Sequence, residues 1–265
     1  MSIINGDCLY EMKKLSNESI DIIITTPPFF IILKTSFATP SKMAKGSVDM
    51  ILTDLPYEIT KLNWDTPIDL TSMWNCFNHV LKDNGVVVMT TAQPFTTKII
   101  NSNTKMFKQN LIWLKTRPSN VFNAKKMFMN WHEDILVFYN KLPTFNPQMR
   151  DGTPYKKIQH IQKRETGIYN KTGEKDGYIS KNKGERYPTT VLEFTNPNHN
   201  TIHPTQKPVP LFEYIIKTYS NEGDTVLDCC AGSGTTGVAC NNTNRKYILI
   251  EKEKGYYDTI INRLK

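Results

Sequence analysis

The sequence contains little arginine and few cysteines. Only six of its 33 basic residues are arginines, and the others are lysines, whose point charges suit phosphate oxygens. The five cysteines are an odd number without a C-x-x-C pair, and the five histidines never fall at metal-ligand spacing with them. We therefore expect neither disulfide bonds nor a bound metal.

Long apolar segments are also missing. The apolar runs at 22–24 and 29–33 are separated by Thr-Thr-Pro-Pro and end at Lys34, whereas a membrane helix needs ~20 apolar residues. The first residues lack the basic start and the apolar stretch of a secretory signal. Abundant Lys, Asn and Ile are typical of AT-rich genomes. We therefore expect a cytoplasmic protein of a prokaryotic, phage-infected or virus-infected cell that does not enter a membrane.

The composition is otherwise that of a globular protein. The 265 residues are 39% hydrophobic and 22% charged, which excludes collagen-like, mucin-like and mostly disordered chains. The formal net charge is +8, and most of the excess lies between residues 141 and 190, where eleven Lys and Arg residues outnumber five Asp and Glu residues. Tyrosines interleave with these lysines, a mixture that suits phosphates and stacked bases. This segment predicts a polyanionic partner.

The apolar pattern alternates between strands and helices, which favours an α/β sheet. The predicted strands are 20–24, 48–52, 86–91, 110–114, 135–139, 225–229 and 246–250. The predicted helices are 70–81 with Asp69 as its cap, 208–219, 235–241 and 254–264. The polar stretch 141–200 has little periodicity, and we expect it to be a basic, irregular insert between the two halves of one domain, 1–140 and 201–265.

A glycine-rich turn follows the predicted strand 225–229. Gly232-Ser-Gly234-Thr-Thr-Gly237 would let the backbone approach a ligand at the start of a helix. Glu251 ends the next strand, where a carboxylate can accept hydrogen bonds from ribose hydroxyls. Asp228 would repel a dinucleotide pyrophosphate but suits the cationic methionine end of S-adenosylmethionine. The turn therefore predicts S-adenosylmethionine rather than NAD.

A second turn, Asp54-Leu55-Pro56-Tyr57, follows a strand whose apolar residues predict that it is buried. Its groups would project at the carboxyl edge of the sheet, where open α/β folds bind ligands. An exocyclic amino group of a base is a poor nucleophile because its lone pair is delocalised into the ring. The Asp54 carboxylate and the Leu55 carbonyl could accept its two N–H bonds and direct the lone pair at a methyl group, while Tyr57 stacks on the extruded base.

Three segments together resemble the DNA amino-methyltransferases, which modify adenine N6 or cytosine N4. These segments are the turn 54–57, His-Pro-Thr-Gln-Lys-Pro at 203–208 and the glycine turn with its strand end at 228–236. Their order resembles the permuted beta class, in which the catalytic turn comes first, a target-recognition segment follows and the glycine turn comes last. The resemblance implies a doubly wound, Rossmann-like α/β methyltransferase sheet with an inserted target-recognition segment.

The resemblance also implies roles for individual residues. It implies a catalytic turn made of Asp54, Leu55, Pro56 and Tyr57. It implies S-adenosylmethionine binding by Asp228, Cys230, Gly232 and Gly234 at the methionine end, with Thr205 and Lys207, by Glu251 at the ribose and by Asp7 near the adenine. The basic segments add predicted DNA contacts at Arg117, Lys125, Lys126, Lys156, Lys157, Lys163 and Arg164. The family usually has Pro at position 55 and commonly has Phe at position 230.

The catalytic turn lies in a local duplication. Residues 19–29 match residues 47–57 at a constant offset of 28, with five of eleven positions identical. Thr26 stands in the first copy where Asp54 stands in the second, and a threonine cannot supply the carboxylate. We therefore expect the second copy to occupy the catalytic strand. If the first copy occupies it instead, the protein would be an inactive DNA-binding relic.

The sequence thus predicts methyl transfer from S-adenosylmethionine to adenine N6 of a flipped DNA base. Turns that begin with Asp lean toward adenine in the family, and cytosine N4 is the alternative. The chain has no Pro-Cys dipeptide, which excludes the cysteine-nucleophile route to cytosine C5. A nicotinamide-dependent oxidoreductase and an RNA or protein methyltransferase are further alternatives. The sequence leaves open whether the chain forms a homodimer or has a restriction endonuclease partner.

Overall fold

The computed structural model describes residues 2–10, 44–57, 67–159, 178–197 and 206–265. It divides into two compact units, one formed by Met1–Asn146 with Thr190–Lys265 and the other by Pro147–Thr189. Among the described residues, no helix is long and apolar enough to cross a membrane. The Thr26–Phe29 part of the duplication lies outside the described residues, as do the predicted strand 20–24, Lys163, Arg164 and Thr205.

The first unit is built on a sheet of eight strands. In chain order they are β1 (Ser2–Asn5), β2 (Val48–Asp54), β3 (Leu81–Thr91), β4 (Phe107–Ser119), β5 (Asn130–Phe138), β10 (Val191–Phe194), β11 (Thr225–Asp228) and β12 (Lys246–Glu251). Their order across the sheet is β1-β12-β11-β2-β3-β5-β4-β10. The helices are α1 (Leu70–Val80), α2 (Phe95–Ser102), α3 (Val209–Tyr219), α4 (Thr235–Asn242) and α5 (Lys254–Arg263). This mixed α/β sheet confirms the predicted fold class.

The strand directions decide which residues share an edge. Every neighbouring pair is parallel except those that involve β5, which runs antiparallel to both β3 and β4. The carboxyl ends of β1, β12, β11, β2 and β3 therefore meet at one edge of the sheet. The reversed strand β5 brings its amino end to that same edge.

Apolar side chains cover both faces of the sheet. On one face, Met50 and Val88 pack in a cluster with Phe212 and Ile215 of α3. On the other face, Ile51 packs with residues of α1, and the adjacent positions of β2 thus alternate between the two layers. Burial on both faces explains why the central strands read as near-continuous apolar runs.

Helix α1 forms where the sequence predicts it. Asp69 caps it, since its carboxylate accepts hydrogen bonds from the Thr71 and Ser72 backbone N–H groups, each at 3.2 Å. The helix ends at Val80, and Leu81 already begins β3. The prediction that the helix continues through residue 81 is therefore wrong by one residue, because Leu81 is apolar and fits either pattern.

The described part of 141–200 contains short strands that the sequence did not predict. The first unit contains β10, which pairs with β4. The second unit contains β6 (Arg150–Asp151) paired with β9 (Glu185–Arg186), and β7 (Tyr155–Gln159) paired with β8 (Tyr178–Asn182). These strands have two to five residues. Short, mostly exposed strands leave no apolar alternation for sequence reasoning to detect. A recognition role for this segment stays a prediction.

Candidate active site

Acidic residues end three neighbouring strands of the sheet. Asp54 is the last residue of β2, Asp228 of β11 and Glu251 of β12. Because these strands are parallel, the three carboxylates lie at one edge. The second copy of the duplication forms β2, between β11 and β3. The predicted catalytic turn and the glycine turn therefore follow adjacent strands.

The Asp54 carboxylate accepts three hydrogen bonds from side chains. The Tyr57 hydroxyl donates to Oδ1 at 2.6 Å, and the Thr90 hydroxyl donates to the same oxygen at 2.5 Å. The Lys207 ammonium donates to Oδ2 at 2.7 Å. These contacts fix the orientation of the carboxylate, whose side chain remains 20% exposed. The remaining exposure leaves Asp54 accessible to a substrate group.

Lys207 joins the predicted catalytic turn to a second carboxylate. Its Nζ lies 2.7 Å from Asp54 Oδ2 and 3.3 Å from Glu133 Oε2, and its side chain is only 5% exposed. Lys115 Nζ contacts the other carboxylate oxygen of Glu133 at 2.6 Å. Two lysines and two carboxylates thus form a buried cluster with alternating charges. The prediction assigned Lys207 to the methionine end of the cofactor, whereas the observed contacts of its ammonium group join the two carboxylates.

The charges of this cluster shift several pKa values. Burial alone would lower the pKa of Lys207, but the Asp54 and Glu133 charges outweigh it and raise that pKa. Burial would raise the pKa of Glu133, but the two lysines hold it below its ordinary value. The pKa of the Tyr57 hydroxyl is well above its usual range because of burial and the nearby carboxylates. Tyr57 therefore stays protonated and donates to Asp54.

The ring of Tyr57 is held in place by its neighbours. It stacks on Phe95 with the ring centroids 5.5 Å apart and the planes at 27°. Lys207 Nζ lies 5.4 Å from the centre of the Tyr57 ring, within the range of a cation–π contact. Leu55 is buried at 2% exposure. The turn is thus anchored by packing as well as by hydrogen bonds.

The glycine turn has the backbone conformation that its sequence predicts. Gly232 and Gly234 have φ values of 52° and 81°, which L side chains rarely adopt. Gly234 is the N-cap of α4, where no side chain supplies a capping hydrogen bond. A glycine at the N-cap offers no side-chain acceptor to the first N–H groups of this helix.

The carboxylates of Glu251 and Asp228 accept hydrogen bonds from residues in and beside the glycine turn. Glu251 Oε2 accepts the Gly232 N–H at 2.6 Å, and Oε1 accepts the N–H groups of Lys252 and Glu253 at 2.8 Å. Asp228 accepts the Cys230 N–H at 3.1 Å and the Thr236 hydroxyl. Burial raises the pKa of Glu251 to about 7 and that of Asp228 to about 6. Both carboxyl groups therefore titrate near neutral pH.

The other predicted site residues are distributed as follows. Asp7 is exposed just after β1 and accepts the Tyr10 N–H at 3.0 Å, as a helix cap would. The Cys230 thiol is partly buried, and the neighbouring Cys229 and Cys8 thiols raise its pKa. Arg117, Lys125 and Lys126 are exposed on and after β4, and Lys156 and Lys157 are exposed on β7 of the second unit.

Sequence reasoning missed Glu133, Lys115 and Thr90. Thr90 lies near the end of a strand that was predicted correctly, so its place beside Asp54 follows from the parallel register Asp54↔Thr90. Glu133 gives no such signal, because it stands at the start of β5 in Trp-His-Glu-Asp. Only the reversed direction of β5 brings it to the edge that carries Asp54.

The comparisons with known proteins agree with this arrangement. The sequence pattern of the N6/N4 DNA methylase family matches residues 48–262, so the chain belongs to this family. It is a DNA methyltransferase that uses S-adenosylmethionine. The type II methyltransferase M.HpaI of Haemophilus parainfluenzae is 27% identical over 249 residues, which are 88% of this chain and 73% of the relative. M.HinfI of Haemophilus influenzae is 29% identical over an alignment 279 residues long that covers 100% of this chain and 68% of the relative.

Solved structures show the same fold. The M1.HpyAVI–SAM complex matches with a TM-score of 0.55 and 28% identity, over 82% of this chain and 90% of that chain. The cytosine-N4-specific PvuII DNA methyltransferase matches with a TM-score of 0.59 over 84% of this chain and 81% of that chain. The latter is 16% identical, and this likeness concerns the fold alone.

The residues around the glycine turn fit S-adenosylmethionine. A buried carboxylate at Glu251 can accept hydrogen bonds from ribose hydroxyls, and Asp228 supplies negative charge for the methionine ammonium group. Gly234 carries no side chain, and a Cβ there would lie 3.1 Å from Ile260 Cγ1. The missing side chain at Gly234 thus lets the turn pack closely against Ile260 beside the two carboxylates.

The raised pKa of Glu251 predicts a pH-dependent stability. The folded protein binds this proton more tightly than the unfolded chain, in which the pKa is near 4.5. Glu251 alone should therefore lower the free energy of unfolding of the cofactor-free protein by about 2 kcal/mol as the pH rises from 4.5 to about 7. Chemical denaturation across this range measures the slope.

The control for this prediction is Glu251→Gln, which cannot titrate. This variant should lose the part of the slope that Glu251 contributes and keep a comparable part from Asp228, whose pKa is also raised, to about 6. An equal slope in the variant and in the unmodified protein would contradict the assignment to Glu251. The absolute stability of the variant is not decisive, because its amide replaces an acceptor of three backbone N–H groups.

Gly234→Ala should weaken both the fold and cofactor binding. Alanine at φ 81° is strained, and we expect a loss of about 1–2 kcal/mol in the free energy of unfolding. Thermal unfolding with and without S-adenosylmethionine measures both effects. Gly223→Ala is the matched control, because Gly223 also has positive φ but a Cβ there meets nothing within 4 Å. An equal loss of cofactor-induced stabilisation in both variants would contradict the role of Gly234.

Proposed function

We propose that the chain transfers a methyl group from S-adenosylmethionine to N6 of an adenine that is flipped out of duplex DNA. The observation that carries this proposal is the orientation of Asp54 at the end of β2, next to the strand that leads into the glycine turn. The carboxylate is held by three donors and is still 20% exposed. A carboxylate fixed in this way can accept a hydrogen bond from the amino group of a substrate.

The chemistry follows from the electronic structure of the base. The lone pair of an exocyclic amino nitrogen is delocalised into the ring, so the nitrogen needs acceptors that make it more tetrahedral. We assign this role to the Asp54 carboxylate and the Leu55 backbone carbonyl. A carbonyl acceptor does not depend on the side chain, so leucine can replace the usual proline. S-adenosylmethionine, when bound, would supply an electrophilic methyl group for direct displacement: the N–C bond forms as the S–C bond breaks, S-adenosylhomocysteine is the leaving group, and the surplus amino proton is released to solvent.

Lys207 and Glu133 support the carboxylate in this proposal. The Lys207 ammonium neutralises Asp54 on the Oδ2 side, and Glu133 in turn fixes Lys207. Such a preorganised arrangement costs little reorganisation when charge develops on the amino nitrogen. Tyr57, which is anchored on Phe95, would supply the surface on which the flipped base stacks. We also assign DNA phosphate contacts to the exposed Lys156 and Lys157 of the second unit.

The test is expression of the chain in a bacterial host that lacks DNA methylation. The host DNA is digested to nucleosides and analysed by mass spectrometry, and the methylated positions are mapped by sequencing. We expect N6-methyladenine within one recurrent sequence. N4-methylcytosine would overturn the choice of adenine while retaining the same chemistry. Unmethylated DNA from cells that contain the folded protein would contradict the proposal.

The matched control in the same host is Asp54→Ala, which removes the carboxylate and retains the rest of the turn. Expression levels of the two proteins are compared by immunoblot. Methylation in both strains would show that Asp54 is not the acceptor that we assign. Methylation only with the unmodified chain supports the proposal.

A further inference from the structure

The hairpin between β4 and β5 carries the most exposed apolar side chains of the described residues. Phe122 and Phe128 are 104% and 97% exposed. Other exposed apolar residues of the same loop are Val121, Met127 and Met129, and Trp131 is exposed at the start of β5. We name residues 120–129 the hairpin tip. Large apolar side chains rarely cluster in water without a partner.

Local hydrogen bonds order the hairpin tip. Val121–Asn123 forms a 3₁₀ turn, and the Lys126 and Met127 N–H groups both donate to the Asn123 carbonyl, at 2.8 and 3.0 Å. The Asn123 side chain donates to the Asn120 side-chain carbonyl. Asn120 itself has a φ of 66°, as a residue at a tight turn would. These bonds hold the tip together although its phenyl rings face solvent.

The charge of the hairpin tip and its flanks has one sign. Arg117, Lys125 and Lys126 are exposed, and no acidic residue occurs between Lys115 and His132. Cations interleaved with aromatic rings fit nucleic acid, because the cations can contact phosphates while the rings contact bases. Two copies of this tip facing each other would instead bring like charges together, which opposes a symmetric dimer interface.

The position of the hairpin relates it to the candidate active site. The tip leaves the sheet at the carboxyl end of β4 and returns at Asn130, the amino end of β5. Three residues later, Glu133 contacts Lys207, which contacts Asp54. The same sheet edge therefore carries the predicted catalytic carboxylate and the base of the hairpin.

We propose that the hairpin tip is a wedge that inserts Phe122 or Phe128 into the base stack of duplex DNA beside the flipped nucleotide. The inference rests on the proposed function, since it assigns the group that replaces the flipped base. Phenyl rings inserted between base steps unstack and kink the duplex, and stacking on the ring offsets part of that cost. Arg117, Lys125 and Lys126 would hold the flanking phosphates.

The test compares Phe122→Ala/Phe128→Ala with Leu142→Ala. Leu142 is 79% exposed and follows the other end of β5, so it controls for the loss of exposed apolar surface. The substrates are a duplex with the methylation site mapped above and the same duplex with a mismatch opposite the target base. A mismatched base costs less to extrude. The double variant should lose at least ~10-fold in kcat/KM on the matched duplex and less than ~3-fold on the mismatched one.

A second readout does not require methyl transfer. Relaxed plasmid is incubated with the protein and topoisomerase I, and the distribution of topoisomers reports unwinding of the bound DNA. The unmodified protein and Leu142→Ala should shift the distribution, and the double variant should not, at concentrations where all three bind the plasmid equally. This assay distinguishes failure of the proposed function from failure of the proposed wedge. A protein that unwinds DNA without methylating it would disprove the proposed function, whereas the wedge would still be supported.

Three results would overturn the wedge. One is unwinding by the double variant equal to that of the unmodified protein. Another is an equal loss of kcat/KM on the matched and the mismatched duplexes, which would indicate a general defect. The third is a change of the double variant from dimer to monomer in analytical ultracentrifugation, since the exposed rings would then form a protein interface.

Discussion

Asp54→Ala should reduce the rate of methyl transfer by about 10²- to 10³-fold, the range expected when one preorganised hydrogen-bonding group of an active site is removed. The carboxylate that we assign to the substrate amino group disappears, and Lys207 keeps only Glu133 as a carboxylate partner among the described contacts. Single-turnover kinetics with labelled S-adenosylmethionine measure the loss. Equilibrium binding should show that the affinity for S-adenosylmethionine is almost unchanged, because Glu251 and Asp228 hold the glycine turn.

The matched control for this change is Asp54→Asn. Its amide retains one acceptor oxygen and nearly the same volume, so we expect a smaller loss than for alanine. Full activity of Asp54→Ala would contradict the role assigned to Asp54. The first copy of the duplication would then be the candidate for the catalytic turn. Thr26 occupies the corresponding position there, and it could at most offer a hydroxyl.

Lys207→Met should impair both catalysis and stability. The ammonium contacts two carboxylates and is 5% exposed, so its removal leaves two negative groups close together without their shared cation. Removal of one partner from a buried ion pair is strongly destabilising. Because Asp54 and Glu133 are 20% and 15% exposed, solvent reduces the effect, and we expect a loss of about 1–3 kcal/mol. The transfer rate should fall by about 10²-fold or more.

Two further variants separate the catalytic from the structural contribution of Lys207. Lys115→Met removes a cation that contacts Glu133 but not Asp54, so it should lower stability with a much smaller effect on the transfer rate. Lys207→Met/Glu133→Gln removes a repelling carboxylate and should regain stability without regaining activity. Recovery of full activity in this double variant would show that Lys207 acts only through stability.

Part of the fold and of the site could be predicted because those features are local in the sequence. Asp69 before an apolar helix, the glycine turn after 225–229 and the acid that ends 246–251 are each encoded within a few residues. The structure places them where the pattern predicts. The family comparison confirms the resemblance to the N6/N4 DNA methylases.

The remaining features depend on contacts between distant residues. Glu133 reaches Lys207 only because β5 is reversed, and no periodicity reveals strand direction. The short strands of the second unit lack apolar alternation. The exposure of Phe122 and Phe128 could not be predicted either, because a phenylalanine between two predicted strands can be buried as well as exposed.

The most direct test of the central claim is methyl transfer by the purified protein. Unmethylated duplex DNA is incubated with the protein and methyl-labelled S-adenosylmethionine, and the nucleosides are separated by mass spectrometry. The account predicts label on N6-methyladenine, and none from the Asp54→Ala protein. Label on C5 of cytosine, or no label although both DNA and S-adenosylmethionine bind, would contradict the claim that Asp54 presents an amino nitrogen to the methyl donor.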